Sequence, residues 1–111
     1  MDNKKTDQYY VNKIITDLAF IIKNTNNLTQ AELEENEILV DSVMFRLIQV
    51  SENSNKLTSE FKLYHASIPW IAIKGLRNRI VHEYGHVDLE VVYDTVMNDI
   101  PKLLDELQEI K

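Results

Sequence analysis

The stretch RNRIVHEY, residues 77–84, places an arginine, an asparagine, a histidine and a tyrosine within eight positions. Without a metal, the first three suit one reaction in particular: cleavage of a phosphodiester beside a ribose 2′-OH. An imidazole that titrates near neutral pH can take the 2′-OH proton or protonate the departing 5′-oxygen. A fixed guanidinium can hold the phosphate as charge builds on it. DNA lacks the 2′-OH and should survive. On a helix, residues four apart are neighbours, so Asn78 shares a stripe with His82 and with Lys74. Arg77 and His82 are five apart, which is ~140° around the axis at 3.6 residues per turn. One site can use both only if the arginine reaches around, if the helix ends near His82, or if a second copy shares the site across a two-fold axis. A histidine in the last turn of a helix also sits well with the helix dipole. The pattern alone therefore leaves open both a polar helix end and a site, and Tyr84 by itself reads as a core or helix-end aromatic.

Other chemistries find less support. The chain has no cysteine, which removes disulfides, thiolate nucleophiles and cysteine metal sites and suits a reducing compartment. His82 and His86 are four apart, but Gly85 should break the helix between them and no third ligand is evident, so no metal site is expected. There is no glycine-rich phosphate loop and no serine nucleophile motif, and no cofactor is expected. A net charge of −6 argues against a nucleic-acid coat protein. That average hides an asymmetry. Residues 62–82 carry Lys62, Lys74, Arg77 and Arg79 and no acid, whereas residues 83–111 carry eight acids against Lys102 and Lys111. Lys74 and Arg79 are candidate RNA-binding cations, and an ordinary solvated face explains them equally well.

The elements that would position this stretch can be read from periodicity. At 111 residues the chain has room for one domain, 1–111, and two glycines with two prolines supply few turns for an all-β fold. Apolar residues at Tyr10, Ile14, Leu18 and Ile21 predict a helix from Asp7 to about Asn24. Thr29 and Glu32 form a capping-box pattern, predicting a second long helix with Leu39, Val43, Leu47 and Val50 on one stripe. Thr58 or Ser59 should begin a short helix. Pro69 predicts a third main helix starting at IPW, with the proline at its first position, running to about Tyr84 and stopped by Gly85. Asp88 should cap the last helix, interrupted at Pro101 by a kink or a restart. No apolar run approaches the ~18 residues of a membrane span, and the first residues lack the apolar core of a signal peptide. The expectation is a soluble, cytoplasmic, all-α bundle of four main helices.

The sequence IPWIAIKGLRNRIVHEYGHVDLEVVYDTVMNDIPKLL resembles the C-terminal half of the HepT toxins, members of the HEPN superfamily. That family's signature of arginine, four residues, histidine, any residue, tyrosine falls on Arg77, His82 and Tyr84, with Asn78 as the polar residue after the arginine. The flanking IPW, GLRN and VD agree as well, and the likeness extends over about residues 36–107. The resemblance implies an up-and-down bundle of four to five helices that forms a homodimer, joining two copies of the motif in one cleft, and a metal-independent ribonuclease toxin of a toxin–antitoxin system. Arg77 would hold the phosphate, His82 would be the general acid and base, and Asn78 would orient the substrate or His82. The family's antitoxin, an MNT-type minimal nucleotidyltransferase, would add AMP to Tyr84. One departure stands out. Many relatives carry Ile-Gly-Glu-Ala in the second helix, and this chain has Val50, Ser51, Glu52 and Asn53, so packing near the cleft should differ. Two alternatives remain: a catalytically inactive helical binding subunit of a nucleotidyltransferase, and a homodimeric scaffold with no site.

Overall fold

The computed structural model describes residues 5–80 and 87–110. The fold is an all-α bundle, as expected. Helix α1 (Asp7–Thr25) starts where the Thr6 side chain accepts a hydrogen bond from the Tyr9 N–H, and it buries Val11, Ile14, Leu18 and Ile21. Asn27 turns the chain with φ 66°, a left-handed conformation that asparagine tolerates better than most residues.

The expected second helix is divided. The Thr29–Glu32 capping box forms, but it opens only a short α2 (Gln30–Glu35). Asn36 then leaves helical geometry and its side chain accepts from the Leu39 N–H, which starts α3 (Glu37–Ser54). A short polar side chain that can bond to nearby backbone offers the chain an alternative to helix, and apolar spacing does not register it. Helix α3 buries Val43, Leu47 and Val50 of the expected stripe, and Met44 beside them, while Leu39 is only partly buried.

Thr58 caps α4 (Ser59–Tyr64). The Asp7 carboxylate accepts from both the N–H and the hydroxyl of Thr58, each at 2.8 Å, tying the start of α1 to the start of α4. Helices α5 (Trp70–Lys74) and α6 (Leu76–Ile80) follow, then α7 (Leu89–Asp94), a π-helical turn (Thr95–Asp99) and α8 (Ile100–Ile110). Asp88 caps α7 by accepting from the Val91 N–H, as expected. The expected interruption at Pro101 takes the form of the π turn. Proline lacks the N–H and crowds the carbonyl four residues back, and the wider turn just before it relieves both.

Helices α1, α3 and α8 form the centre, with α1 packed on both of the others. Ile14, Leu18, Leu47, Val50, Val92, Ile100 and Leu107 are all essentially sealed from solvent. Polar ties fix the layers. Arg46 pairs with Asp17 at 2.8 Å and lies over the Phe20 ring, joining α3 to α1. Tyr93 donates its hydroxyl proton to the Leu28 carbonyl, joining α7 to the turn before α2. No buried side-chain polar atom among the described residues lacks a hydrogen-bond partner.

Candidate active site

The third main helix begins one residue later than the sequence pattern indicates. Pro69 occupies the N-cap position and Trp70 is the first helical residue. Trp70 explains the geometry at that point. Its indole N–H donates to the carbonyls of Lys62 and His65, fastening the end of α4 to the start of α5, and its ring packs against Phe61. The His65 ring lies tilted against Phe61 and edge-on to Tyr64, so its surroundings are those of a packing residue.

Gly75 separates α5 from α6. It keeps right-handed geometry, φ −84° and ψ 0°, and is bonded on both sides: its N–H donates to the Ile71 carbonyl, and its carbonyl accepts from the Arg79 N–H. Residues 70–80, which carry Arg77 and Asn78, are thus one helical course with a local irregularity. At that irregularity the buried Ser51 hydroxyl donates to the Lys74 carbonyl at 2.9 Å. Ser51 thereby holds α5 against α3. Position 51 also lies on the stripe through Leu47 and Ser54, and a polar residue inside an apolar stripe is the sequence signal for such a bond. Ser51→Ala should cost about 0.5–1.5 kcal/mol through the lost hydrogen bond. Ser51→Gly should cost a further ~0.5–1 kcal/mol through helix entropy. Urea denaturation measures both, and a Ser51→Gly protein as stable as the parent would show that the bond holds nothing.

On α6, Arg77 and Asn78 are exposed, and Lys74 is exposed at the end of α5. Among the described residues, Arg77 and Lys74 form no ion pair. Arg79 differs. Its guanidinium donates to the Thr95 hydroxyl at 3.1 Å and to the Asp99 carboxylate at 3.2 Å, clamping α6 to the π turn. Of the two candidate RNA-binding cations, only Lys74 is uncommitted in this way. The clamp is half-exposed, and exposed ion pairs contribute about 0–1 kcal/mol, so Arg79→Ala should lower stability by no more than that in thermal unfolding. His82, Tyr84, Gly85 and His86 lie outside the described residues.

A cleft of about 270 Å³ between α5–α6 and α8 has an apolar floor that includes Ile73 and Leu103, and Arg79 and Lys102 at its rim are matched by Asp99 and Glu106. Balanced charge gives it no preference for phosphate. Among the described residues, no three histidine or acidic side chains converge as metal ligands, and no helix is long and apolar enough to cross a membrane.

What this arrangement offers chemically is a helical segment with Lys74, Arg77 and Asn78 turned to solvent, clamped by Arg79 and held from behind by Ser51. The family model described as "Ribonuclease HepT-like" matches residues 14–110. The chain belongs to the HepT-like ribonuclease family. Its enzyme class is accordingly ribonuclease. A relative in Caldanaerobacter subterraneus subsp. tengcongensis, named as a candidate RNase, is 26% identical over 106 residues, covering 96% of this chain and 95% of its own. One in Thermococcus cleftensis, named as a candidate ribonuclease HepT, is 27% identical over 101 residues, covering 87% of this chain and 92% of its own. In Methanocaldococcus jannaschii a protein named both as a gamma-glutamylcyclotransferase and as a candidate RNase is 29% identical over 107 residues, covering 96% of this chain and 48% of its own. No solved structure matches the chain. The HepT-like match, over residues 14–110, covers the RNRIVHEY sequence, α6 with Arg77 and Asn78, and most of the central helices behind it.

Proposed function

We propose that this protein is a metal-independent endoribonuclease toxin of a HEPN/MNT toxin–antitoxin system, acting as a homodimer on RNA. The observation that carries the reading is the RNRIVHEY motif inside a HepT-like match that spans nearly the whole chain. His82 takes the 2′-OH proton and returns a proton to the leaving 5′-oxygen, which yields a 2′,3′-cyclic phosphate. Arg77 neutralises charge on the phosphate, and Asn78 orients the substrate or His82. The exposure of Arg77, Asn78 and Lys74 supports these roles, because a group that binds phosphate must be accessible.

The partner in this reading is a nucleotidyltransferase antitoxin. It transfers AMP from ATP to the Tyr84 hydroxyl, with pyrophosphate as the leaving group. A nucleotide there fills the cleft and sets phosphate charge against incoming RNA. A second reading, an inactive binding subunit of the nucleotidyltransferase, draws on the net charge of −6.

Expression in cells separates the two. His82→Ala should abolish growth inhibition while the protein stays folded, and inhibition that persists in the variant contradicts the nuclease reading. Intact mass after incubation with the partner and ATP should rise by one AMP in the parent and not in Tyr84→Phe.

A further inference from the structure

Arg79 lies two residues beyond Arg77, on a helix of only 5 residues. A helix that short does not hold itself in place, since isolated helices are marginal in water below ~12–15 residues. Tertiary contacts must fix α6. Among the side chains described on it, Leu76 at its first position is buried, while Arg77, Asn78 and Arg79 are exposed. The Ser51 bond acts before α6, at the Lys74 carbonyl. Further along, the polar tie is Arg79. Both of its bonds come from Nη2, one to the Thr95 hydroxyl at 3.1 Å and one to the Asp99 carboxylate at 3.2 Å. Thr95 is buried, which fixes that acceptor in place, and Thr95 and Asp99 are the first and last residues of the π turn. Single π turns inside helices are frequent at functional sites.

The surroundings of Arg79 do not suit RNA. The hollow it shares with the π turn is also lined by Glu90, Asp94 and Asp99, and by no other base. Three carboxylates beside one guanidinium repel a phosphate backbone. We infer that Arg79 is a positioning residue: by holding Thr95 and Asp99 it fixes the orientation of α6, and with it the place where Arg77 meets the phosphate. The inference rests on the ribonuclease reading and names what keeps its phosphate-binding residue in place. An exposed ion pair adds little to global stability, but a shift of ~1 Å in a group that positions substrate can cost about 10²-fold in rate. With Ser51 still holding the near end, loss of the clamp should cost about tenfold.

The test is cleavage of total cellular RNA under enzyme excess, with RNA affinity measured alongside, for the full-length parent and variants of the three clamp residues. Arg79→Ala, Asp99→Ala and Thr95→Val should each cleave about tenfold more slowly, with RNA affinity within about twofold of the parent and helical circular dichroism unchanged. Thr95→Ser keeps the hydroxyl and should cleave near the parent rate. Arg79→Ala combined with Asp99→Ala should be no slower than Arg79→Ala, because both changes remove one interaction. Parent-like cleavage by Arg79→Ala overturns the inference, as do equal rates for Thr95→Val and Thr95→Ser. Tighter RNA binding and faster cleavage by Asp99→Ala would mean that a freed Arg79 binds RNA, and would overturn it too. Amide hydrogen exchange at residues 77–79 judges the clamp without cleavage. Faster exchange in Thr95→Val than in the parent supports it, and unchanged exchange overturns it. A parent that cleaves no RNA removes the nuclease reading, and exchange still decides the clamp.

Discussion

Leu47→Ala should cost about 2–5 kcal/mol, the range for deleting a fully buried leucine side chain beyond its Cβ. Leu47 is sealed from solvent on α3, the helix that contacts α1 on one side and α5 and α6 on another. Domains of this size have only ~5–15 kcal/mol of total stability, so the change removes a large fraction of it. Urea denaturation should show a lower midpoint with an unchanged slope, meaning that the native state is weakened and not reshaped. A loss under about 1 kcal/mol would mean that the centre of the bundle is not where α1, α3 and α8 place it. The effect also bears on function. The helix that presents Arg77 rests on α3 through Ser51 and the buried Ile73 and Leu76, so loosening α3 should cost cleavage activity at temperatures where the fold still holds.

Arg77→Ala should lower RNA cleavage by ~10²–10³-fold, the usual loss on removing one group that stabilises developing charge. Because Arg77 is exposed and forms no ion pair among the described residues, stability should hardly change. Arg77→Lys should recover only part of the loss, since an ammonium keeps the charge but not the planar fork that grips two phosphate oxygens. The salt dependence of RNA binding gives an independent readout. Losing one phosphate contact lowers the slope on single-stranded RNA by roughly 0.7. Arg77→Ala should show that drop. Arg79→Ala should not, because Arg79 is committed to Thr95 and Asp99. Equal slopes for the two variants would contradict the distinction drawn between them.

The comparison of sequence and structure has a pattern. Apolar periodicity located α1, the buried stripe of α3 and the last helix, because a helix that buries one face must repeat near 3.6 residues. The caps at Thr29, Thr58 and Asp88 were legible for a similar reason, since each is a local bond between a side chain and the first turn. Breaks were harder to see. Asn36 stops one helix and starts the next through its own side chain, and nothing in the apolar spacing marks that choice. The π turn before Pro101 was visible only as an interruption of unknown form. Within the candidate site, types and spacing singled out Arg77, Asn78 and Lys74. The partners of Arg79 are contributed by Thr95 and Asp99, sixteen and twenty residues away, and a long-range contact leaves no local trace. Trp70 was legible as part of IPW, but its bonds to two carbonyls of the preceding turn depend on tertiary placement.

The central claim is that RNRIVHEY is a metal-free ribonuclease site, and cleavage of RNA by the purified protein in EDTA, beside His82→Ala, tests it most directly. The account predicts cleavage by the parent that leaves 2′,3′-cyclic phosphate ends, with loss of ~10²–10⁴-fold in the variant as its general acid and base is removed. Cleavage that vanishes on chelation, or that persists undiminished in a folded His82→Ala protein, would contradict it.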